Sequence, residues 1–291
     1  MRLKLLSIFV VLFVFKAKAQ DIPFTKIIDS IQQIRALSND SNLSIEKRIN
    51  YAKHANELSY KIDIDSTILT SERDLAFLYL ISGDLVRNRA THLNLLTIAS
   101  KLNDSIVIAV SSNNLGYNYQ VSQTQNDSAF YYYHKAKKIF NALNRKEDQS
   151  DVLLNMSIIQ IDEHDFIGAE INIISALTLV QDLPETNRIL ASKWSMSNSL
   201  GNVYHYTKQH DKALKYYHKA LEFNNKLAKI SINENNGETY SRFQNYSYTQ
   251  INIAECLKSQ KKYNQAIAIY NRLLENKDIP KDDPLSYAAI L

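Results

Sequence analysis

Asparagine recurs in this sequence where a better helix former would serve. Asn113, Asn114, Asn155, Asn198, Asn202 and Asn252 all lie within two residues of one local pattern. That pattern is a large apolar residue followed by a small one: Leu115-Gly116, Met156-Ser157, Leu200-Gly201 and Ile253-Ala254. Asn is a mediocre helix former, so its return at one place implies a use. Its amide both donates and accepts, which suits the backbone of an extended peptide. A solvated helix face, or hydrogen bonds between neighbouring repeats, would use the same residues differently.

The other candidates for chemistry have plainer readings. Asp162-Glu163-His164-Asp165 offers carboxylates and an imidazole to a metal. It falls between two apolar stretches, where a polar turn is ordinary, and no metal site is expected there. His134 and His218 occupy the same place in two copies of YYHKA, which marks them as repeat positions. Cys256, the only cysteine, sits in an apolar helical pattern and reads as a small buried hydrophobe. The sequence has no Gly-rich phosphate loop, no HExxH helix, no GxSxG elbow and no kinase motif. The expectation is a protein that is not an enzyme and needs no cofactor.

The residues around the Asn column must be held by helices. Gly and Pro number 5 and 4 in 291 residues. Average usage is roughly 12% of a chain, and strand proteins draw on both residues for turns. Their scarcity predicts long helices joined by short polar connections. Downstream of each large-small pair a second small residue follows: Ala129, Ala169, Ala213 and Ala266. A third follows as Ala136, Ala176 and Ala220, while Leu273 departs from the rule. Tyr133, Ile173, Tyr217 and Tyr270 lie between them. Steps of three, four and seven put these residues on one face of a helix. The pattern is a helical hairpin, with small residues at the crossing and large ones filling the groove beside it. Gly inside a helix costs about 0.5–1 kcal/mol relative to Ala, and close backbone approach would offset that at Gly201. One hairpin cannot bury its apolar face alone, so copies must stack.

This pattern resembles the tetratricopeptide repeat. Leu200, Gly201, Tyr204, Ala213, Tyr217 and Ala220 follow its order without a gap, and 115–136 follows it with one extra turn residue. Residues 156–177 and 253–274 keep most positions. Two weaker units precede them, one with Leu75-Ala76, Tyr79 and Gly83, the other a helix pair near 24–62 with Ala52 and Ala55. The resemblance implies an all-α, right-handed superhelical solenoid of stacked antiparallel helix pairs, about six units long. The small-residue anchors are 41, 44 and 53 apart, against a family length of about 34. Long second helices are expected, with 230–240 an inserted connection. Units of this length resemble the N-terminal sensor regions of Bacteroidetes-type histidine kinases and regulators. In peptide-binding relatives, Asn at this position contacts the ligand backbone.

Residues 1–19 stand apart. A basic start, an eleven-residue apolar run and Ala17-Lys18-Ala19 read as a secretory signal, with a retained anchor the alternative. The expected organisation is 1–19 signal, 20–104 degenerate helical repeats, 105–278 clear repeats, and 279–291 the opening of a further, incomplete one. The formal charge of +4 belongs to the signal: removing its four basic residues leaves 30 Lys and Arg against 30 Asp and Glu. A neutral mature chain argues against nucleic acid, which draws a basic excess. No second long apolar stretch occurs, so no membrane span is expected in the mature chain. The reading is an exported, periplasmic scaffold that binds a protein or peptide. The alternative is the sensor region of a signalling protein without its output domain, working with a membrane-linked partner.

Overall fold

The computed structural model describes residues 24–122, 125–234, 239–276 and 279–290, and the signal expected at 1–19 lies outside them. All regular structure among the described residues is helical. The helices run in order α1 Phe24–Ser38, α2 Ile45–Ile62, α3 Asp65–Ile81, α4 Leu85–Lys101, α5 Ser105–Val121, α6 Asn126–Ala142 and α7 Lys146–Asp162. Then come α8 Phe166–Val180, α9 Asn187–Tyr206, α10 His210–Glu234, α11 Thr239–Ser259, α12 Tyr263–Leu274, α13 Ile279–Asp282 and α14 Pro284–Ile290. Within each of two units, antiparallel neighbours pack as pairs and the pairs stack. Contacts group the chain into two units, residues up to Ser111 and from Ser112 on.

The turns show how so few glycines suffice. Seven of the described helices are followed by a residue in the left-handed region: Asp63, Gly83, Asn103, Asn144, His164, Lys208 and Lys261, with φ between 52° and 75°. In six of these turns the next amide reaches back to a carbonyl five residues earlier, as Asp84 does to Tyr79 and Gln209 to Tyr204. This bond satisfies carbonyls that the helix end would leave open. Asp84, Asp104 and Asp165 then cap the following helix, accepting from the amides of Arg87, Val107 and Gly168. The DEHD segment is therefore one of these turns, with His164 at φ 65° and Asp165 as the cap.

In the unit up to Ser111, Ala52, Leu75, Leu78 and Tyr79 form one buried cluster. Ile68, Leu69, Ala76, Leu95, Ile98, Ala99 and Val107 form another. From Ser112 on, one large cluster joins Leu153 through Ala266. The small positions of the repeat are its crossing points: Ala129, Ala136, Ala169, Ala176, Ala213, Ala220 and Ala254 are all fully buried. Tyr133, Ile173 and Tyr217 are buried beside them, while Tyr270 is half-buried.

Gly201 answers to Tyr217. A Cβ built on Gly201 would lie 2.9 Å from Tyr217 Cζ and closer still to the ring edge. Tyr133 covers Gly116 in the same way. Neither ring can swing aside, because both are buried. Helix propensity alone would make Gly201→Ala stabilising by about 1 kcal/mol. Overpacking costs about 1–3 kcal/mol, so the variant should be less stable by urea titration, and the loss should vanish in a Tyr217→Leu background. A gain in stability for the single variant would place the ring elsewhere.

The connection expected at 230–240 is shorter than that. The helix α10 is 25 residues long and continues to Glu234, and α11 starts at Thr239. Ile230 to Glu234 contains no Gly or Pro, and the breaking signal is Asn235-Asn236-Gly237. The other second helices from Ser112 on are shorter than α10: α6, α8 and α12 have 17, 15 and 12 residues. The extra spacing is shared between first helices of 17 to 21 residues and the second helices α6 and α10, of 17 and 25 residues, so the expected long second helix is found at α10. At the C-terminal side, α14 starts on Pro284, is capped by Asp283, and packs against α11.

Candidate functional site

A groove of about 270 Å³ opens on the first helices of three successive pairs. Ile158, Ile161 and Asp162 of α7 form one wall. Trp194, Ser195, Asn198, Ser199, Asn202 and Tyr206 of α9 form its floor, and Tyr248 of α11 closes it. Residues 194, 198 and 202 are spaced by four, and 195, 199, 202 and 206 by four, three and four, so α9 presents one continuous stripe. Trp194 is fixed by its indole N–H, which donates to Thr249 Oγ1 at 3.0 Å, and by Tyr248, whose ring lies edge-on at 6.5 Å. Tyr206 and Tyr248 are about half exposed, at 56% and 47%.

Small-molecule sites span about 300–1,000 Å³ and enclose the ligand. This groove falls just below that range and is open along α9. Its rings and its floor amides suit a stretch of polypeptide: rings for side chains, amides for the backbone between them.

The structure gives most of the Asn column a specific task. Asn155 on α7 donates to Asn113 Oδ1 on α5 at 3.3 Å, and Asn252 on α11 donates to Asn198 Oδ1 on α9 at 3.3 Å. These amide pairs tie one first helix to the next. Hydrogen bonding between repeats, one of the uses the sequence left open, thus engages four of the six. Asn202 accepts from the Tyr217 hydroxyl at 2.8 Å, which links the groove floor to the packed ring behind it. Asn114 is half-buried on α5, and its carbonyl accepts from the Asn118 side chain. Asn198 and Asn202 line the groove, while Asn113, Asn114, Asn155 and Asn252 do not.

The repeat pattern does not single out Trp194, Tyr206 or Tyr248. Trp194 carries a usable signal, since it lies one helical turn before Asn198. Tyr248 carries none, because only the stacking of α11 on α9 brings it there. Ile174, Leu177, Tyr216, Lys219 and Phe223 of the second helices, with Lys193 of α9, line a separate depression. Neighbouring first helices are also joined by charge: Arg188 of α9 pairs with Glu147, Asp148 and Asp151 of α7 at 2.7–3.1 Å.

Stacked helix pairs with a groove on their first helices define an all-α repeat array of the helical solenoid class. Residues 197–227 and 248–278 match the tetratricopeptide repeat family; the first match spans the α9–α10 turn and the second runs from within α11 past the end of α12. The comparison with curated protein sequences returned no match. Among solved structures, the chain is similar to BtubC from P. vanneervenii, with 22% identity and a TM-score of 0.60 over 80% of this chain and 91% of that one. It is similar to the apo form of RapI, with 15% identity and a TM-score of 0.61 over 94% and 92%. It is also similar to a signal transduction ATPase with a tetratricopeptide repeat sensor from Pyrococcus horikoshii. That likeness has 15% identity and a TM-score of 0.60, over 91% of this chain and 41% of that one. At these identities the likeness is one of fold. Together with the repeat matches it supports a protein-interaction scaffold.

Proposed function

We propose that this chain is an exported, non-catalytic scaffold that holds a segment of protein or peptide in the α7–α9–α11 groove. The observation that carries the reading is the groove itself: three aromatic rings and two carboxamides from α9 and α11 face the Ile158–Ile161 wall of α7, inside or beside the matched repeats. Binding there works by shape and many weak contacts, with the exposed tyrosines as anchors. Nucleic acid is not the partner, on the formal neutrality of the chain beyond residue 19. Among the described residues no helix is long and apolar enough to cross a membrane. Export rests on the pattern at 1–19, and the periplasm is its destination in this reading. N-terminal sequencing of protein recovered from the periplasmic fraction should begin at Gln20, and an intact Met1 would contradict cleavage.

The only tryptophan lies in the groove, so it reports on occupancy. Ligand binding should shift or quench Trp194 emission. Tyr206→Ala and Tyr248→Ala should each weaken binding by about tenfold or more, the range of an interface anchor. Substituting Asn114, Asn155 and Asn252 together by Ala tests the rest of the Asn column. Unchanged binding would restrict contact to Asn198 and Asn202.

A second reading is favoured by the likeness to the sensor-bearing ATPase and by the resemblance of the unit lengths to sensor regions. In it the same groove receives a signal and passes it to a membrane-linked partner. Ligand binding that alters a partner's output, and not merely its location, would distinguish this from a scaffold.

A further inference from the structure

Three metal-ligating side chains converge at the end of α9. His205 is in its last turn, His210 opens α10 across the Lys208 turn, and Cys256 comes from α11 of the next pair. One ligand atom from each lies within 4.8 Å of the others. Cys256 Sγ is 3.7 Å from His210 Nδ1 and 3.6 Å from the His210 carbonyl oxygen. The His205 and His210 rings are 5.6 Å apart. Cys256 is fully buried, and His205 Nδ1 is buried with no hydrogen-bond partner among the described residues. An orphaned buried ring nitrogen is costly unless something else engages it.

From this convergence we propose that His205, His210 and Cys256 bind a single transition-metal ion of the Zn²⁺ type, leaving one position for water. One thiolate and two imidazoles are a ligand set that Zn²⁺ favours over the oxygen-seeking Mg²⁺ and Ca²⁺. In a tetrahedral Zn²⁺ site, sulfur and nitrogen ligands stand roughly 3.6 Å apart, close to the Cys256–His210 separation. The surrounding charges are mixed. Burial pushes the Cys256 thiol up to about 11, with Asp211 adding to the rise and Lys262 opposing it. His205 is lowered by burial and by His210, while Glu255 opposes that. On binding, the Cys256 S–H bond breaks, sulfur keeps the electron pair for the metal, and the proton leaves to solvent. No redox change is involved. The ion would clip α9 to α11, the two helices that carry Trp194 and Tyr248, and so hold the groove at a fixed width.

The experiment uses the purified chain, stripped with a chelator and titrated with Co²⁺ as a spectroscopic substitute for Zn²⁺. The expected result is a near-ultraviolet thiolate-to-cobalt absorption that saturates at one ion per chain and is displaced by Zn²⁺. With one cysteine in the sequence, any such band belongs to Cys256. His205→Ala and His210→Ala should each weaken binding by at least about 10–100-fold, and His218→Ala should leave it unchanged. Far-ultraviolet circular dichroism checks that each variant is folded, and the wild-type spectrum stands whatever the variants do. Absence of the band in the wild type, or its persistence after both His205 and His210 are replaced, would overturn the site.

Discussion

Tyr217→Ala should remove about 3–5 kcal/mol of stability, the range for deleting a fully buried aromatic ring. Tyr217 is 1% exposed, covers Gly201, and ties its hydroxyl to Asn202. The substitution opens a cavity between α9 and α10 that neighbouring side chains cannot fill, because Ala213 and Ala220 beside it are small. Tyr217→Phe removes only the hydroxyl bond and should cost about 0.5–1.5 kcal/mol. In a stacked array each pair is stabilised mainly by its neighbours, so the loss should be felt first in the repeats around α9. Trp194 fluorescence, which reads that region, should therefore report unfolding at lower urea than far-ultraviolet circular dichroism, which averages the chain. Coincident midpoints with a shift below about 1 kcal/mol would mean that the ring does not hold the crossing together.

The second large effect is expected in acid. His92 on α4 is 4% exposed, and it borders a pocket of about 270 Å³ whose lining also holds Arg73, Asp104, Leu95 and Val107. Burial lowers its pKa from 6.5 to about 4. The folded protein therefore refuses a proton that the unfolded chain accepts. Stability contributed by neutral His92 is fully present above about pH 6.5 and is lost as pH falls toward 4. At 1.36 kcal/mol per pH unit the full effect is about 3 kcal/mol. Arg73 would oppose protonation and Asp104 would favour it, so the comparison should be made against His92→Leu. That variant should gain on the wild type by about 2–3 kcal/mol between about pH 7.5 and 4.5 in urea titrations. An equal difference at both pH values would contradict a buried, neutral imidazole.

Much of this fold is legible in the sequence because helix crossings demand small residues at fixed spacings. Ala129, Ala169, Ala213 and Ala266 align by spacing alone, and each is buried at a crossing. The Gly201–Tyr217 contact follows from the same logic, since an interior glycine needs a compensating close approach. The turns are legible as polar but not as left-handed, because Lys208 and Lys261 carry no signal for that backbone. The reach of α10 to Glu234 is hidden by the polar composition of ISINE, which tolerates helix as well as loop. The groove is half legible. Asn198 and Asn202 are local to the repeat motif, but Tyr248 and Cys256 reach α9 only through stacking of the next pair, farther along the chain. Spacing within each pair is written in local sequence; the register between pairs depends on side chains that meet only after stacking.

A peptide-holding groove is tested most directly by affinity selection of a random peptide display library on the purified chain, followed by titration of the enriched peptides. Enriched peptides should quench or shift Trp194 emission. They should lose about tenfold or more in affinity on Tyr206→Ala or Tyr248→Ala. Lys219→Ala, in the separate depression that shares no lining residue with the groove, should leave their affinity unchanged. Failure to enrich any peptide, or affinities indifferent to both groove tyrosines, would contradict a peptide-holding groove on the first helices.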